Sequence, residues 1–396
     1  MNRLRVALLT QRFWPMVSSP GRAVANLATA LAEQGVEPII LTVRWESPWP
    51  ARLRFRDMPV VRFEPPPRGR RDTFCYVRSL ARWLQQNRNA LDLVYATGLK
   101  HEAYAAMRAV GGRLPVVLRP ETAGLSGDCL WQIDAPQGEE IKRQCVGASA
   151  FVAANHPLER ELQAAGYPRD RIHYLPDGVP IPSRRTAAIQ AAARMLLGET
   201  GRRLALPREA PLAVYCGTFQ PDRRLEELLA AWARLLVRRR DARLWLVGEG
   251  PHAPRLAERI REWNLTSRVS ILGPFDEIDA VLAAADLFIM PSDRSETSLA
   301  LLEAMAAGLG IVAVDSPGTR EVLCDGQSAM LVRPGDPAAM ADAVERLIEQ
   351  PTTAEMLGAA ARQVVVERFS LAQMGARHVT LFTSLTMPVS PTPDAP

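Results

Sequence analysis

Residues 286–308 read Asp286-Leu-Phe-Ile-Met-Pro-Ser-Asp-Arg-Ser-Glu-Thr-Ser-Leu-Ala-Leu-Leu-Glu-Ala-Met-Ala-Ala-Gly308. Leu287 to Met290 is a short apolar run, the pattern of a buried strand. Pro291 to Glu296 is a polar turn. Thr297 or Ser298 is placed to cap a helix that stops at Gly308. That helix is apolar on every side, so it belongs in a core. Glu303 nevertheless sits in its middle. A buried carboxylate without donors is costly. Glu303 therefore needs ligand hydroxyls in a wet cleft or, on the plainer reading, a neighbouring arginine or the surface. The helix start also offers backbone N–H groups and the positive end of the dipole, which suit a phosphate. Strand, loop and helix start together form the ligand-binding end of an open α/β sheet.

The same pattern extends outward in both directions. Strands are expected at Leu212–Cys216, Leu244–Val247, Val269–Leu272, Ile311–Val314 and Met330–Val332, with helices between them. In the first half, Leu4–Thr10 is a continuous apolar run, followed by a Gly21-containing loop, a helix over 22–34 and a strand at Ile39–Val43. That order is a βαβ unit. Helix and strand signals then alternate to Leu175. Residues 44–72 are rich in Arg, Pro and Trp and read as a long surface segment that holds a short strand candidate, Val60–Phe63. Its cluster Arg68, Arg70 and Arg71 could meet anionic headgroups or simply solvate. The expected domains are an N-terminal Rossmann-like domain (1–182), a linker (183–210) and a second Rossmann-like domain (211–368). A closing helix (369–386) could cross back to the first domain, and a Pro-rich tail (387–396) reads as disordered.

Composition narrows the function classes. A chain of 396 residues suggests two domains at roughly 150 residues each. No apolar run reaches the ~18 residues of a membrane span. Five scattered cysteines without CxxC spacing fit a reducing cytoplasm rather than a zinc site or a disulfide framework. Residues 1–180 carry 24 Lys+Arg and 17 Asp+Glu, a net +7, against 24 and 26, a net −2, in the remainder. The basic first half hints at an anionic partner such as a membrane surface. No basic helix with interleaved aromatics points to nucleic acid.

Several stretches carry a resemblance. LWLVGEGP (244–251), VSILGPF (269–275), ADLFIMPS followed by TSLALLEAMAAG, and LVRPGD (331–336) are similar to the retaining family-4 glycosyltransferases of the GT-B fold. RFWPMVSSPGRA (12–23) and IHYLPDGVP (172–180) resemble that family's N-terminal glycine loop and its Pro-Asn-Gly-Val stretch, with Asp177 in place of Asn. The resemblance implies two doubly wound domains facing across a cleft. It implies transfer of a sugar from a nucleoside diphosphate sugar to a glycan or lipid-linked hydroxyl acceptor, with no metal and no cofactor. The setting implied is cytoplasmic, with peripheral contact to the inner membrane face through the first domain.

Carried over residue by residue, Glu303 matches the glutamate that holds the donor ribose. Ser298, Leu299 and Ala300 match the amides that cradle the diphosphate. Gly217, Thr218 and Arg223 match the Gly-Arg…Lys stretch, with Thr218 where an arginine is usual and Arg223 replacing the lysine. Gly21 and Phe275 complete the donor set. The family's first glutamate has Ser295 at its position, with Glu296 one residue later. Glu296, Arg223 and Ser295 are the catalytic candidates. Arg119-Pro-Glu121 stands where the family often has a histidine, so Arg119 or Glu121 is a candidate replacement. A catalytically silent sugar-nucleotide or glycan-binding protein on the same fold is the alternative that Ser295 favours. A phosphorylase reading would need a cofactor lysine, and the second half has no lysine.

Overall fold

The computed structural model describes residues 3–16, 18–124, 127–201, 204–207, 209–275, 278–294 and 297–387. The chain forms two compact units. One runs to Gly178 and takes in the chain from Leu371 onward; the other is Val179–Ser370.

In the first unit the strands are β1 (Arg5–Leu9), β2 (Glu37–Val43), β3 (Arg52–Phe55), β4 (Met58–Phe63), β5 (Leu93–Thr97), β6 (Val116–Arg119), β7 (Ala150–Ala153) and β8 (Ile172–Tyr174). They form one sheet in the order β3-β4-β2-β1-β5-β6-β7-β8. All pairings are parallel except the β3–β4 hairpin. Central strands are buried on both faces, which is why β1 and β5 read as unbroken apolar runs. The hairpin replaces much of the expected surface segment. In β3, Arg52 and Arg54 face solvent while Leu53 and Phe55 are half-buried. Its edge position thus hides it among arginines and prolines. A helix over Arg70–Asn87 follows the hairpin. The last helix, Leu371–Thr386, packs on the helix Ser19–Glu33 through Met374, Leu381 and Phe382.

The second unit has β9 (Leu212–Cys216), β10 (Arg243–Val247), β11 (Val269–Leu272), β12 (Leu287–Met290), β13 (Gly310–Val314) and β14 (Met330–Val332), all parallel, in the order β11-β10-β9-β12-β13-β14. The helix Leu299–Ala307 follows β12 and is buried at every position from Ala300 to Ala307. Burying Leu301, Leu302 and Met305 contributes roughly 1.5–3 kcal/mol each. Gly308 ends the helix at φ 73°, the left-handed conformation that a glycine stop provides. The stretch expected as a linker carries a helix, Ala187–Thr200. Arg194 and Gln190 of that helix bond Asp286 at 2.7 Å each.

Each sheet reverses its winding once: beside β1 in the first unit and between β9 and β12 in the second. Ligands in such sheets bind outside the carboxyl ends of the strands at that reversal.

Candidate active site

At the reversal of the second sheet two loops leave neighbouring strands. One follows β9 (Gly217 to Arg224); the other follows β12. The glycines are needed where backbones cross: a side chain at Gly248 (φ 142°) would run into the carbonyl of Gly217. The first loop ends in a single turn, Pro221–Arg223. Arg224 is then left-handed at φ 54°. This conformation costs a non-glycine residue roughly 1–2 kcal/mol. Arg224 is held there by Glu227 and Asp293, both at 2.6 Å. A second pair of opposite polarity, Arg294 to Asp222 at 2.7 Å, joins the same two loops. These crossed pairs brace the reversal.

Arg223 lies between those pairs and takes part in neither. Its Nε is buried and makes no hydrogen bond among the described residues. Burial pushes the Tyr215 hydroxyl up, against the pull of the nearby Arg223 charge. Arg223 is therefore a partly buried cation with an unused donor, a suitable grip for phosphate oxygens.

Across the reversal, the helix Leu299–Ala307 begins at Ser298 without any side-chain cap. This corrects the expectation that Thr297 or Ser298 closes that end. The Thr297 hydroxyl is instead bonded to the Gly318 carbonyl at 3.2 Å and to Glu321 at 3.0 Å. Among the described residues, neither the Ser298 hydroxyl nor the Thr297 hydroxyl covers the N–H groups at Ser298, Leu299 and Ala300. One turn further in, Glu303 is buried and lines a cavity of about 300 Å³. Pro180, Pro182, Arg185, Asp279 and Ala307 line the same cavity. Arg185 donates to the Ala285 carbonyl there, and burial lowers its pKa. Phe275 is partly buried against the core that also holds the helix. Thr218 is exposed beside the β9 loop, its carbonyl accepting from Tyr215 at 3.1 Å. Ser295 and Glu296 lie outside the described residues.

In the first unit the corresponding edge is occupied by its own bonds. Gly21 sits in the first turn of the helix Ser19–Glu33, and its N–H donates to the capping Ser18 hydroxyl at 3.2 Å. A side chain there would meet the Arg12 carbonyl at 2.9 Å. Arg119 is buried and donates to both oxygens of Asp177, at 2.7 and 2.6 Å. Burial works to lower its pKa, but Asp177 reverses this and raises it. The two departures from the family pattern noted in the sequence thus meet in one ion pair, in which both oxygens of Asp177 accept from Arg119. Glu121 stands beside Asp128, which accepts from its N–H at 2.5 Å. Burial, then Asp128, raise the Glu121 carboxyl. Lys100 reaches Asp128 at 3.2 Å.

Sequence reasoning missed Arg224, Asp293, Asp222 and Arg294 as a brace, because ion pairs 69 and 72 residues apart leave no periodic trace. Four charges in the two loops were the only signal. Among the described residues no group of three or more His, Cys, Asp or Glu is placed to hold a metal, and no helix is long and apolar enough to cross a membrane.

Comparison with known proteins places the chain in a family and a fold. The family model described as Glycosyl transferases group 1 matches residues 210–350, and that described as Glycosyltransferase Family 4 matches residues 20–181. The chain belongs to glycosyltransferase family 4. Among curated family-4 relatives, the N-acetyl-alpha-D-glucosaminyl L-malate synthase of Bacillus anthracis is 28% identical over 171 residues, covering 43% of this chain and 45% of that protein. The chain spans about half the length, or less, of the first such relatives it matches. Among solved structures, a sucrose-phosphate synthase from Thermosynechococcus elongatus superposes with a TM-score of 0.78 at 20% identity, over 97% of this chain and 99% of that one. Anabaena HepE in complex with UDP-glucose gives 0.76 at 18% identity, over 97% and 100%. These neighbours make the architecture GT-B, two parallel-sheet α/β domains.

Proposed function

We propose that the protein is a retaining glycosyltransferase that moves a sugar from a nucleoside diphosphate sugar to a hydroxyl acceptor without a metal ion. The reading rests above all on the reversal of the second sheet, where the β9 loop carries a partly buried cation, Arg223, whose Nε makes no hydrogen bond among the described residues, and the helix after β12 starts without a cap from Ser298, with Glu303 one turn behind. In this reading the amides at Ser298, Leu299 and Ala300 and the Arg223 guanidinium take the diphosphate, and Glu303 accepts from the ribose hydroxyls. The bond from the anomeric carbon to the diphosphate breaks, and a bond to the acceptor oxygen forms on the same face. The acceptor proton leaves with the nucleoside diphosphate. Fixed positive groups around the departing phosphate supply the main stabilisation. Glu296, or Ser295 at the usual position, contacts the donor sugar; Gly217, Thr218 and Phe275 line the donor site; Gly21 belongs to the donor set by the family resemblance.

The HepE complex with UDP-glucose supports a nucleotide sugar as donor. Five free cysteines suit a cytoplasmic setting. Thermal-shift screening against UDP-, GDP- and ADP-sugars tests the reading directly. A shift for one donor, followed by chelator-insensitive transfer with retained anomeric configuration, is expected. No shift with any donor overturns it.

A further inference from the structure

The helix Ala187–Thr200 of the second unit is amphipathic the wrong way round. Its polar side chains point inward: Gln190 and Arg194 each donate to Asp286 at 2.7 Å, and Arg194 also donates to the Ala284 carbonyl at 2.9 Å. Ala193 and Leu197 reach the core beside them. The opposite face is apolar and open. Ile189, Met195 and Leu196 are exposed, Met195 at 66% and Leu196 at 56%. Ala188, Ala191 and Ala192 lie between them and are exposed too. A surface helix ordinarily turns its apolar residues toward the core, and a contiguous exposed apolar patch marks an interaction surface.

The charges at the two ends of this face are also reversed. Glu199 stands in the last turn, where the helix dipole disfavours a carboxylate. Arg184 precedes the capping Thr186, at the end where the dipole disfavours a cation. Both are exposed, and neither has an ion-pair partner among the described residues. Arg184 has a like charge nearby: burial, then the Arg184 charge, lower the Arg362 pKa.

An antiparallel copy of the helix supplies what each end lacks. At 3.6 residues per turn, Ala188, Ala192, Met195 and Glu199 fall along one line of the exposed face. Turned end for end about a point between Ala191 and Ala192, that line matches itself. Ala188 then meets Met195, small against large. Ala191 meets Ala192, which lets the two backbones approach closely. Arg184 meets Glu199, and each stands beside the helix end whose dipole favours it. A parallel pair would set Met195 on Met195 and like charges side by side.

We propose that this face is an interface between two copies of the chain, the helices Ala187–Thr200 packing antiparallel across a two-fold axis between Ala191 and Ala192. Such an interface is self-complementary, as a two-fold requires. One helix pair is small for a stable interface, so self-association falls at roughly micromolar concentrations.

Sedimentation velocity of the full chain across the micromolar range tests it. The parent is expected to pass from the mass of one chain to that of two. Ala192→Glu sets two carboxylates at the axis and should weaken association about thirtyfold or more, the loss of a central interface residue, with far-UV circular dichroism unchanged. Glu199→Arg and Arg184→Glu should each weaken it about fivefold, and the two together should restore it. Ala192→Cys should give a disulfide-linked dimer on mild oxidation, beyond any that the parent forms through its exposed Cys324. A chain that stays single across the range overturns the proposal. So does an Ala192→Glu variant that associates like the parent, a double reversal no better than either single one, or an Ala192→Cys chain that cross-links no more than the parent. Flotation of the parent, but not of Ala192→Glu, with phosphatidylcholine vesicles would give the face to a bilayer and overturn it as well.

Discussion

The two sheets end in reversals of the same kind, yet their polar groups are used differently. At the first, Arg119 is consumed by Asp177, Lys100 by Asp128, and the side-chain amide of Asn26 by the Gly178 carbonyl. At the second, crossed ion pairs tie the loops together but leave Arg223 outside them, and among the described residues the helix start has no cap from Ser298 or Thr297. Satisfied buried charge holds a structure; unsatisfied donors converging on a helix start invite an anion. The contrast is what the proposed donor site at the second edge rests on; the first edge is held by its own ion pairs.

The contrast breaks most visibly through Asp177→Ala, which strands Arg119 in the interior. Removing one partner of a buried pair costs roughly 3–5 kcal/mol, so chemical denaturation should show a loss of that order while donor affinity stays unchanged. A matching loss of donor affinity would mean that this pair belongs to the site. Glu303→Ala should do the reverse: stability is largely kept, while calorimetric Kd for the donor rises by about a hundredfold, as expected for losing charge-assisted hydrogen bonds of ~1.5–3 kcal/mol each. An unchanged Kd removes Glu303 from the site.

Protonation sharpens the same division. Burial lowers the His378 pKa to about 4, beside Tyr95 in the first unit. Between pH about 6.5 and 4 the unfolded chain takes a proton that the folded His378 refuses, so this group's contribution is lost as pH falls. Burial raises the Glu102 carboxyl to about 7. Between about 4.5 and 7 the folded state keeps a proton that the unfolded chain releases, so this contribution is lost as pH rises. The two oppose each other. His378→Gln should therefore tilt the stability profile toward a steeper decline with rising pH between about 4 and 6.5, read from denaturation midpoints. A profile unchanged by the substitution would show that His378 is not held neutral.

The smallest effect is expected at Arg224→Gly. Relief of the left-handed strain offsets the loss of two half-exposed ion pairs, each worth ~0.2–1 kcal/mol, so Tm should barely move. Donor KM should rise about fivefold (~1 kcal/mol) with kcat little changed, because the loop carrying Arg223 is no longer braced to the β12 loop. A fall in Tm with KM unaltered would reduce the brace to a structural role.

Legibility followed the range of the interactions involved. The strand Leu287–Met290, the helix Leu299–Ala307 and its stop at Gly308 were readable because apolar runs and glycine stops are local. The strand β4 was legible as Val60–Phe63, whereas β3 escaped because an edge strand with outward arginines loses its apolar signature. Thr297 was misread as a cap because its hydroxyl's partners, Gly318 and Glu321, lie more than 20 residues on. Arg119 looked available until Asp177, 58 residues away, was brought against it.

From sequence alone came two α/β domains, the order of their strands and helices, the membership that the motif string at 244–336 implies, and Glu303 as the charge out of place. Those follow from periodicity and residue chemistry, which act over a few residues. Which charges are spent and which remain open was decided only in three dimensions. Burial and ion pairing depend on neighbours that the chain brings together from far apart, and a guanidinium in solvent has the same sequence signature as one locked against a carboxylate.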